Sequence, residues 1–379
     1  MFGFACYTPQ LMRKAYNIPD EWTGRGQTIV IVDAFGSPTI QDDLATFSAI
    51  FGLPNADLEV LYPGGKPKNL NPRRDQEEEG WAFETSLDVE WAHAIAPDAR
   101  LVLVIGPNNF GTVLNNAQRI AVDQRLGDVM SLSFGGDEAK LNGNGANNLQ
   151  QDQGHQIYVD AAAANMTVFA SAGDGGATDG FPAVNASYPA SDPLVTSVGG
   201  TNLFIKDSGD YDRETVWNDG DGTLCPFGCT GGIFGATGGA PSILFAAPSF
   251  QPPVTGSKLR LTSDVAYNAS VYTGVLVYAG FFADPSRDGL YFVGGTSAGS
   301  PQWAAITAII NQATGRQQGY FNPALYAIGA DATKYAQAFH DVTIGNNALN
   351  GPGFPAGPKY DLPTGLGSPN VAGLIAVLK

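Results

Sequence analysis

Short apolar runs alternate along the chain with segments of helical periodicity. The runs have no polar alternation, which is typical of strands buried on both faces of a sheet. They cover residues 27–34, 100–105, 129–133, 167–171 and 194–198. The helical segments between them cover residues 40–50, 80–96, 115–125 and 149–164. This order predicts an α/β fold with a mostly parallel sheet flanked by helices on both faces.

The pattern loosens from about residue 200 to residue 289 into stretches rich in Gly, Pro and Asp. We interpret these stretches as long insertions on the same sheet, so we expect residues 1–379 to form one domain. Residues 291–293 resume as a strand, and residues 302–313 predict a helix. In parallel sheets, ligands bind at the carboxyl ends of the strands, where the Gly-rich turns after Ser133 and Ser171 lie.

The composition narrows the possible partners. The chain has 20 Lys and Arg against 36 Asp and Glu, a net charge of −16 at pH 7. Such a surface repels nucleic acid and anionic membranes, so we expect neither as a partner. No apolar stretch reaches the ~18 residues that a membrane helix needs. The charge fits a protein that works in acid, and it equally fits an ordinary soluble acidic protein.

The three cysteines are too few for a disulfide scaffold. Cys225 and Cys229 are separated by three residues in a Gly-rich segment, where a local disulfide is plausible. A zinc site there would lack its other ligands. The first residues, MFGFACYTPQLMRK, lack the charged-then-apolar order of a signal peptide.

Ser297 lies in the segment GGTSAGSP, between a predicted strand and a predicted helix. A serine at that junction has an accessible hydroxyl and backbone N–H groups nearby, although a helix cap would look the same. The segment also matches G-x-S-x-G, the nucleophile elbow of α/β-hydrolases. That alternative would require Asp331 and His340 as acid and base, and the 82 residues after the serine are few for such a fold.

Glu84 and Asp88 are four residues apart in a predicted helix, so both carboxylates project from one face. Apolar neighbours indicate that this helix is largely buried; they are Trp81, Phe83, Leu87 and Trp91. Buried adjacent carboxyls raise each other's pKa and share a proton, which makes an acid/base pair suited to low pH. The alternative interpretation is a solvated helix face.

Glu84-x-x-x-Asp88, Asp174 in SAGDGG and Ser297 in GGTSAGSP together resemble the sedolisins, serine-carboxyl peptidases with a subtilisin-like fold. The opening TPQLMRKAYNIP and the closing HDVTIGNN and YDLPTGLGSPN are also similar to that family, so the resemblance covers nearly the whole chain. The subtilase histidine motif H-G-T-H is absent. The chain's histidines lie in unrelated contexts at His93, His155 and His340.

The resemblance implies a role for each catalytic residue. Ser297 matches the nucleophile, Glu84 the general base, and Asp88 the carboxylate that orients Glu84. Asp174 matches the oxyanion-hole residue, acting with the backbone N–H of Ser297. A protonated carboxyl can donate to a developing oxyanion, whereas an ionised one would repel it. We therefore expect an acid-acting endopeptidase; the alternatives are a tripeptidyl-peptidase of the same family and a non-catalytic peptide-binding relative.

Ser133, Phe134 and Gly135 resemble the family's segment that pairs with the substrate backbone. An extended peptide could add there as a strand. Phe134 stands where relatives usually have tryptophan, so an indole N–H donor is missing. Asp33 lies where relatives carry an acidic residue, and we assign it no catalytic role.

The resemblance also implies one structural calcium ion near the C-terminus. Asp341 and Asp361 would supply carboxylates, and Val342, Gly357 and Lys359 would supply carbonyls, which are the hard ligands that calcium prefers. Relatives commonly have glycine at the Lys359 position. The alternative is a Gly/Pro loop with two surface aspartates.

Three further expectations follow from the family. Relatives are made with an N-terminal pro-domain that assists folding, which is not among these 379 residues. We expect a secreted protein in acidic surroundings, and we expect it to act as a monomer.

Overall fold

The computed structural model describes residues 6–68, 70–142, 145–220, 235–282 and 284–379, without the side chains of residues 142–151. Cys225 and Cys229, with the disulfide considered for them, lie outside the described residues. Within the described part of the chain, no helix combines the length and the apolar character needed to cross a membrane.

The helices and strands follow one another in regular alternation through the first half of the chain. The helices are α1 Pro9–Ala15, α2 Ile40–Phe51, α3 Gln76–Ile95, α4 Gly111–Asp123, α5 Glu138–Asn142, α6 Gly145–Ala163, α7 Pro252–Thr255, α8 Gly299–Thr314, α9 Asn322–Ala330, α10 Ala332–Ala338 and α11 Val371–Leu378. The strands are β1 Thr28–Ala34, β2 Asp57–Leu61, β3 Arg100–Gly106, β4 Val129–Leu132, β5 Gly136–Asp137, β6 Thr167–Ser171, β7 Ser187–Tyr188, β8 Thr196–Ile205, β9 Tyr211–Val216, β10 Pro241–Ala246, β11 Leu259–Leu261, β12 Val265–Asn268, β13 Val275–Ala279, β14 Gly289–Val293, β15 Phe339–His340 and β16 Ser368–Pro369.

The central sheet has the strand order β12-β8-β6-β4-β1-β3-β2, and β9 adds to β8. Every pair along that order is parallel, while β9 runs antiparallel to β8. The predicted mostly parallel α/β sheet is therefore confirmed. Because the strands are parallel, the turns after β1, β4 and β6 meet at one edge of the sheet.

The two faces of the sheet carry separate apolar clusters. Along β1, Ile29 and Ile31 pack into the cluster that includes α3 and α8, whereas Val30 and Val32 pack into the cluster that includes α4 and α6. This alternation follows from the two-residue repeat of a strand. Helices cover both faces, as the continuous apolar strands predicted.

The described parts of residues 200–289 contain more regular structure than we predicted. They contain β9 to β13, and β12 joins the central sheet in parallel beside β8. The strand predicted at residues 291–293 exists as part of β14, but β14 pairs antiparallel with β13 in a separate hairpin. The strand prediction is therefore confirmed, and the β13–β14 hairpin lies outside the central sheet.

Helix α3 begins at Gln76, four residues before the predicted start. Asp75 caps it by accepting hydrogen bonds from the backbone N–H groups of Glu77 and Glu78 at 2.9 and 3.2 Å. This is the usual role of an aspartate at a helix N-terminus. The earlier start keeps Glu84 and Asp88 well inside the helix.

Candidate active site

Glu84 and Asp88 lie on one face of α3, as their spacing predicts. Glu84 is half-buried and Asp88 has no exposed surface. Burial raises the pKa of both carboxyls, and the charge of Glu84 raises the pKa of Asp88 further. The Ser297 hydroxyl faces Glu84 and acts in the opposite direction, lowering the pKa of that carboxyl. Glu84 is therefore the carboxyl that interacts with the Ser297 hydroxyl.

Asp33 is a third buried carboxyl of this cluster, and the sequence alone gave it no role. It lies at the carboxyl end of β1 with no exposed surface. Among the described residues no donor reaches either of its carboxyl oxygens with good hydrogen-bond geometry, although the nearby Thr85 hydroxyl, which donates to the Trp81 carbonyl, lowers the pKa of Asp33 slightly against the larger effect of burial. Burial raises the pKa of Asp33 to about 7, and its charge raises the pKa of Glu84 and Asp88. The site thus holds three carboxyls that influence one another.

Ser297 lies in a short turn immediately before α8. The turn is possible because Gly295 has a φ of 97°, and a Cβ at this position would stand 2.7 Å from the Asp174 carboxyl. The beginning of α8 is fixed to β4 by a buried hydrogen bond of 2.9 Å between the Ser300 and Ser131 hydroxyls. Ser297 is half-buried, with its position set by the backbone on both sides.

Asp174 follows the end of β6 and reaches the serine turn. The Thr296 backbone N–H and the Thr296 hydroxyl both donate to Asp174 Oδ1 at 2.8 Å. The Gly173 N–H in turn donates to the Thr296 hydroxyl at 3.1 Å. Asp174 is open to solvent on one side but surrounded by protein on the others, and this burial raises its pKa. Thr296, which the sequence analysis did not single out, orients this carboxyl.

Ser133 connects the parts of the site through its side chain. Its hydroxyl donates to Asp88 Oδ1 at 2.8 Å and lies 3.4 Å from the Ser297 carbonyl oxygen. We predicted only a substrate contact for this residue. Phe134 is half-buried against Trp81, with ring centroids 6.4 Å apart, and Gly135 is exposed. The backbone of this segment remains accessible from the cleft.

A pocket of about 220 Å³ opens beside the cleft that contains Glu84. Trp81, Phe134 and Gly135 line both the pocket and the cleft, so the two are continuous. The inner wall of the pocket includes Leu114, Asn115, Gln118, Leu141, Tyr158 and Tyr188. The lining thus combines apolar and aromatic side chains with the amides of Asn115 and Gln118.

Two of the histidines form hydrogen bonds with residues outside the candidate site. His93 is buried and shares a hydrogen bond of 2.9 Å with the Pro54 carbonyl. The His155 Nδ1 lies 2.8 Å from the buried Asp192 carboxylate. Among the described residues, no hydrogen bond joins either histidine to Ser297.

His340 does not form the alternative hydrolase arrangement. Its ring stacks on Tyr211 with centroids 3.7 Å apart, and burial lowers its pKa to about 4. Asp331 caps α10 by accepting from the Thr333 N–H at 2.9 Å. In the described part of the chain no hydrogen bond connects His340 with Asp331 or Ser297, so this geometry does not support the nucleophile-elbow alternative.

The residues predicted to bind calcium lie close together near the C-terminus. Both oxygens of Asp341 accept from the Lys359 backbone N–H, at 3.0 and 2.9 Å. Asp361 Oδ2 accepts from the Gly357 N–H at 2.9 Å, and Oδ1 accepts from the N–H and hydroxyl of Thr364 at 2.8 Å. These bonds hold two carboxylates in one loop.

The remaining predicted donors are backbone carbonyls. Val342 is buried, and Lys359 adopts a left-handed conformation with a φ of 67°, where glycine is the easiest residue to accommodate. Within the described ranges, no group of three or more His, Cys, Asp and Glu side chains could hold a metal ion. Any cation here would therefore depend on the carbonyls as well as on the two carboxylates.

A family model described as the subtilase family matches residues 76–349. The chain belongs to the subtilase family. Kumamolisin from Bacillus sp. (strain MN-32) is 35% identical over 386 residues, covering 96% of this chain and 62% of that protein. Sedolisin from Pseudomonas sp. (strain 101) is 29% identical over 382 residues, covering 98% of this chain and 61% of that protein. The chain thus spans about three fifths of the length of these subtilase relatives.

One solved structure supports the sedolisin branch of the subtilase family directly. Pseudomonas sedolisin, described as a serine-carboxyl proteinase complexed with two molecules of pseudo-iodotyrostatin, matches with a TM-score of 0.85 at 29% identity. The match covers 99% of this chain and 98% of that chain. The predicted resemblance to the sedolisins and the subtilisin-like fold are therefore confirmed.

Proposed function

We propose that this subtilase is an acid-acting serine-carboxyl endopeptidase that cleaves peptides through an acyl-enzyme. The observation that carries the proposal is the arrangement around Ser297. Glu84 faces its hydroxyl from α3, and Asp174 is held against the same turn by Thr296. Among the described residues no histidine hydrogen-bonds to Ser297, whereas the Glu84 carboxyl interacts with its hydroxyl, so in this proposal a carboxylate takes the place of a histidine base.

In the first half of the reaction the Ser297 hydroxyl attacks the scissile carbonyl carbon. Its proton passes to Glu84 as the new C–O bond forms, and the carbonyl oxygen becomes an oxyanion. Collapse of this intermediate breaks the C–N bond, and Glu84 gives the proton to the departing amine. The acyl group remains as an ester on Ser297.

In the second half a water molecule attacks the ester, and Glu84 accepts a proton from that water. The C–O bond to Ser297 breaks, the serine oxygen recovers a proton, and the peptide acid departs. In both halves the backbone N–H of Ser297 and a protonated Asp174 donate to the oxyanion. The Asp174 oxygen that accepts from Thr296 leaves the other oxygen to carry this proton.

The protonation states of the buried carboxyls support our proposal that peptide cleavage is fastest at acidic pH. After the larger effect of burial, the charge of Asp33 raises the pKa of Glu84 and Asp88, and that of Glu84 raises the pKa of Asp88, so the three carboxyls release their protons one after another as the pH rises. Burial raises the pKa of Glu84 to about 8 and raises that of Asp174 as well, so the active form that we propose, with Glu84 ionised and Asp174 protonated, is a minor protonation state of the free enzyme. At lower pH Glu84 is protonated and no base is present, and at higher pH ionised Asp174 repels the oxyanion.

The pH dependence of peptide cleavage tests this proposal. We expect a bell-shaped profile of kcat/KM with its maximum below about pH 7, because the active form needs both an ionised base and a protonated oxyanion donor. Initial rates on a peptide library from about pH 2 to pH 9 would measure the profile and the preferred cleavage sites together. A rate that rises steadily to pH 8 would contradict the proposal, because the oxyanion donor Asp174 would then be ionised in the most active form.

We also propose that Asp341 and Asp361, with the carbonyls of Val342, Gly357 and Lys359, hold one structural calcium ion. The two carboxylates lie close enough for the charge of Asp341 to raise the pKa of Asp361, after the larger effect of burial. Among the described residues, neither carboxylate forms an ion pair. A bound cation would relieve their repulsion, and the donor types suit calcium.

Chelation tests the calcium proposal without reference to activity. We expect a chelator to lower the Tm by several degrees and added calcium to restore it, because a ligand that binds only the folded state stabilises that state. The variant Asp341→Asn should start with a lower Tm and respond little to the chelator. An unchanged melting curve of the parent protein in chelator would contradict the proposal.

A further inference from the structure

A second pair of acids lies outside the catalytic cluster, where α2 and α3 meet the β13–β14 hairpin. Glu90 is two residues after Asp88 on α3, so its side chain leaves the helix on a different side. It has no exposed surface, and its Oε2 accepts from the Tyr278 backbone N–H at 2.9 Å. Its Oε1 is buried without a hydrogen-bond partner among the described residues.

Asp43 approaches the same strand from α2. It is 2% exposed, and its Oδ2 accepts from the Thr39 hydroxyl at 2.6 Å. Its Oδ1 lies against Gly280, where an added Cβ would stand 2.5 Å from that oxygen. The Gly280 N–H lowers the pKa of Asp43, which is the effect of a donor on a carboxylate. Both acids therefore contact backbone at the end of β13.

These contacts provide hydrogen-bond partners for backbone groups along the edge of β13 that faces the helices. Tyr278 and Leu276 are two residues apart, so their backbone groups point to the same edge of the strand. The Leu276 carbonyl accepts from the Trp91 indole N–H at 2.9 Å, one residue along α3 from Glu90. Side chains of α3 thus replace a neighbouring strand along this edge. The β13–β14 hairpin is attached to α3 through side chains rather than through the central sheet.

The charges that shift the pKa of the two acids are negative, although the Arg73 guanidinium lies just beyond the same end of β13, where it donates to the Phe281 carbonyl at 3.3 Å. Asp42 from α2 and Asp288 beside β14 both raise the pKa of Asp43, after the larger effect of burial raises it to about 6. Burial raises the pKa of Glu90, and Asp43 raises it further. Neither acid belongs to an ion pair within the described residues. Ionisation here would place uncompensated charge in the interior.

Other titratable groups near α3 point elsewhere. His93, one turn farther along α3, is buried with a lowered pKa and bonds to the Pro54 carbonyl. From α1, Arg13 directs its guanidinium to the Ile95 carbonyl at the end of α3. Neither supplies a positive charge to Glu90 in the hydrogen bonds of the described residues. The neutral form of each acid is thus the form that suits this site.

We propose that neutral Glu90 and Asp43 are positioning residues that hold the β13–β14 hairpin, and through it Ser297, against α3. Strand β14 ends at Val293, four residues before Ser297. Movement of the hairpin would shift the serine turn relative to Glu84 on α3. Ionisation of the two acids above acidic pH strengthens their individual bonds to the Tyr278 and Gly280 N–H groups but leaves unpaired charge in the interior, and opening the contact to water relieves that charge. The distance between nucleophile and base therefore depends on two groups that never touch the substrate.

The sign of the effect on stability follows from the raised pKa values. Below the ordinary pKa of a carboxyl both the folded and unfolded chains are protonated, and the full stability is present. As the pH rises, the unfolded chain ionises first, and stability is lost through the range up to the pKa in the folded protein. The folded protein therefore becomes less stable between about pH 4 and pH 7.

The variant Glu90→Gln tests this inference, because glutamine keeps an acceptor for the Tyr278 N–H and cannot ionise. Melting curves at pH 4 and pH 7 would be compared with those of the parent protein. We expect a similar Tm at pH 4 and a gain of about 3 °C or more at pH 7. The exposed control Glu21→Gln should leave the fall in Tm between the two pH values unchanged.

Two further variants separate positioning from simple packing. Glu90→Ala removes the acceptor and should lower the Tm at both pH values, whereas Asp43→Asn should behave like Glu90→Gln. At pH 7 hydrogen exchange in residues 275–293 should be slower in Glu90→Gln than in the parent. If Glu90→Gln and Asp43→Asn both lose as much Tm between pH 4 and pH 7 as the parent, the inference is wrong.

The part of the inference that concerns Ser297 rests on the proposed function and has its own measurement. In Glu90→Gln the fall of kcat/KM above the acidic optimum should begin at higher pH than in the parent. Melting and hydrogen exchange do not require peptidase activity. An inactive protein whose Tm responds as described would refute the proposed function alone, and an active protein whose Tm and pH profile are unchanged by Glu90→Gln would refute the positioning role alone.

Discussion

Replacing Ser297 with alanine should lower kcat/KM for peptide hydrolysis by about 10⁴-fold or more and leave the fold intact. The loss should be this large because the substitution removes the proposed nucleophile, and water held by the remaining residues would replace it poorly. The fold should persist because the contact from Ser133 is made to the carbonyl of Ser297, which alanine retains.

Peptide cleavage and melting should be measured together for the Ser297 variant. We expect its Tm to stay within about 2 °C of the parent, since a half-buried hydroxyl contributes little to packing. The matched control is Ser300→Ala, three residues farther on, which removes the buried bond to Ser131. That control should lower the Tm and keep most of the activity. More than a tenth of the parental rate in Ser297→Ala would show that another residue is the nucleophile.

The sequence predicted the central strands well because each one is apolar on both faces. The run at residues 167–171 coincides with β6, and the run at 100–105 falls one residue short of β3. Strand β12 was missed, because Val265–Asn268 is a short segment surrounded by turns. Its place beside β8 depends on a chain return that local periodicity does not encode.

In the candidate site, too, the residues in local sequence motifs could be predicted, and those defined by contacts between distant parts of the chain could not. Glu84, Asp88, Asp174 and Ser297 could be proposed because each lies in a recognisable local motif. Thr296 was overlooked because its role is a pair of hydrogen bonds to a residue 122 positions away in the sequence. Only the fold brings the two together. The sequence did show a threonine directly before the candidate serine, and a hydroxyl donor in that position was the signal that could have identified it.

Asp33 illustrates how topology creates an electrostatic environment. In the sequence it is one aspartate at the end of an apolar run, and such residues usually begin a turn. In the fold it lies beneath α3 without exposure, where its charge raises the pKa of both Glu84 and Asp88. The number of carboxyls that share protons in this site is therefore three, one more than the helix alone predicts.

Replacing Glu84 with glutamine should lower kcat by about 10²- to 10⁴-fold with little change in KM. Glutamine has nearly the same shape, so the substrate cleft keeps its form, but it cannot accept the proton of the Ser297 hydroxyl. Asp88 cannot replace it as the base, because its Oδ1 accepts from Ser133 and its whole side chain is buried.

The stability of Glu84→Gln separates this catalytic effect from a folding defect. Because the pKa of Glu84 is raised in the folded protein, its ionisation opposes folding as the pH rises, and glutamine removes that penalty. We therefore expect a Tm at pH 7 equal to or above that of the parent while activity is almost lost. The matched control is Glu90→Gln, the same substitution on the same helix but away from the cleft, which should stay active in acid. If Glu84→Gln has both a low Tm and low activity, the loss of activity results from misfolding. If it keeps the parental kcat, Glu84 is not the base.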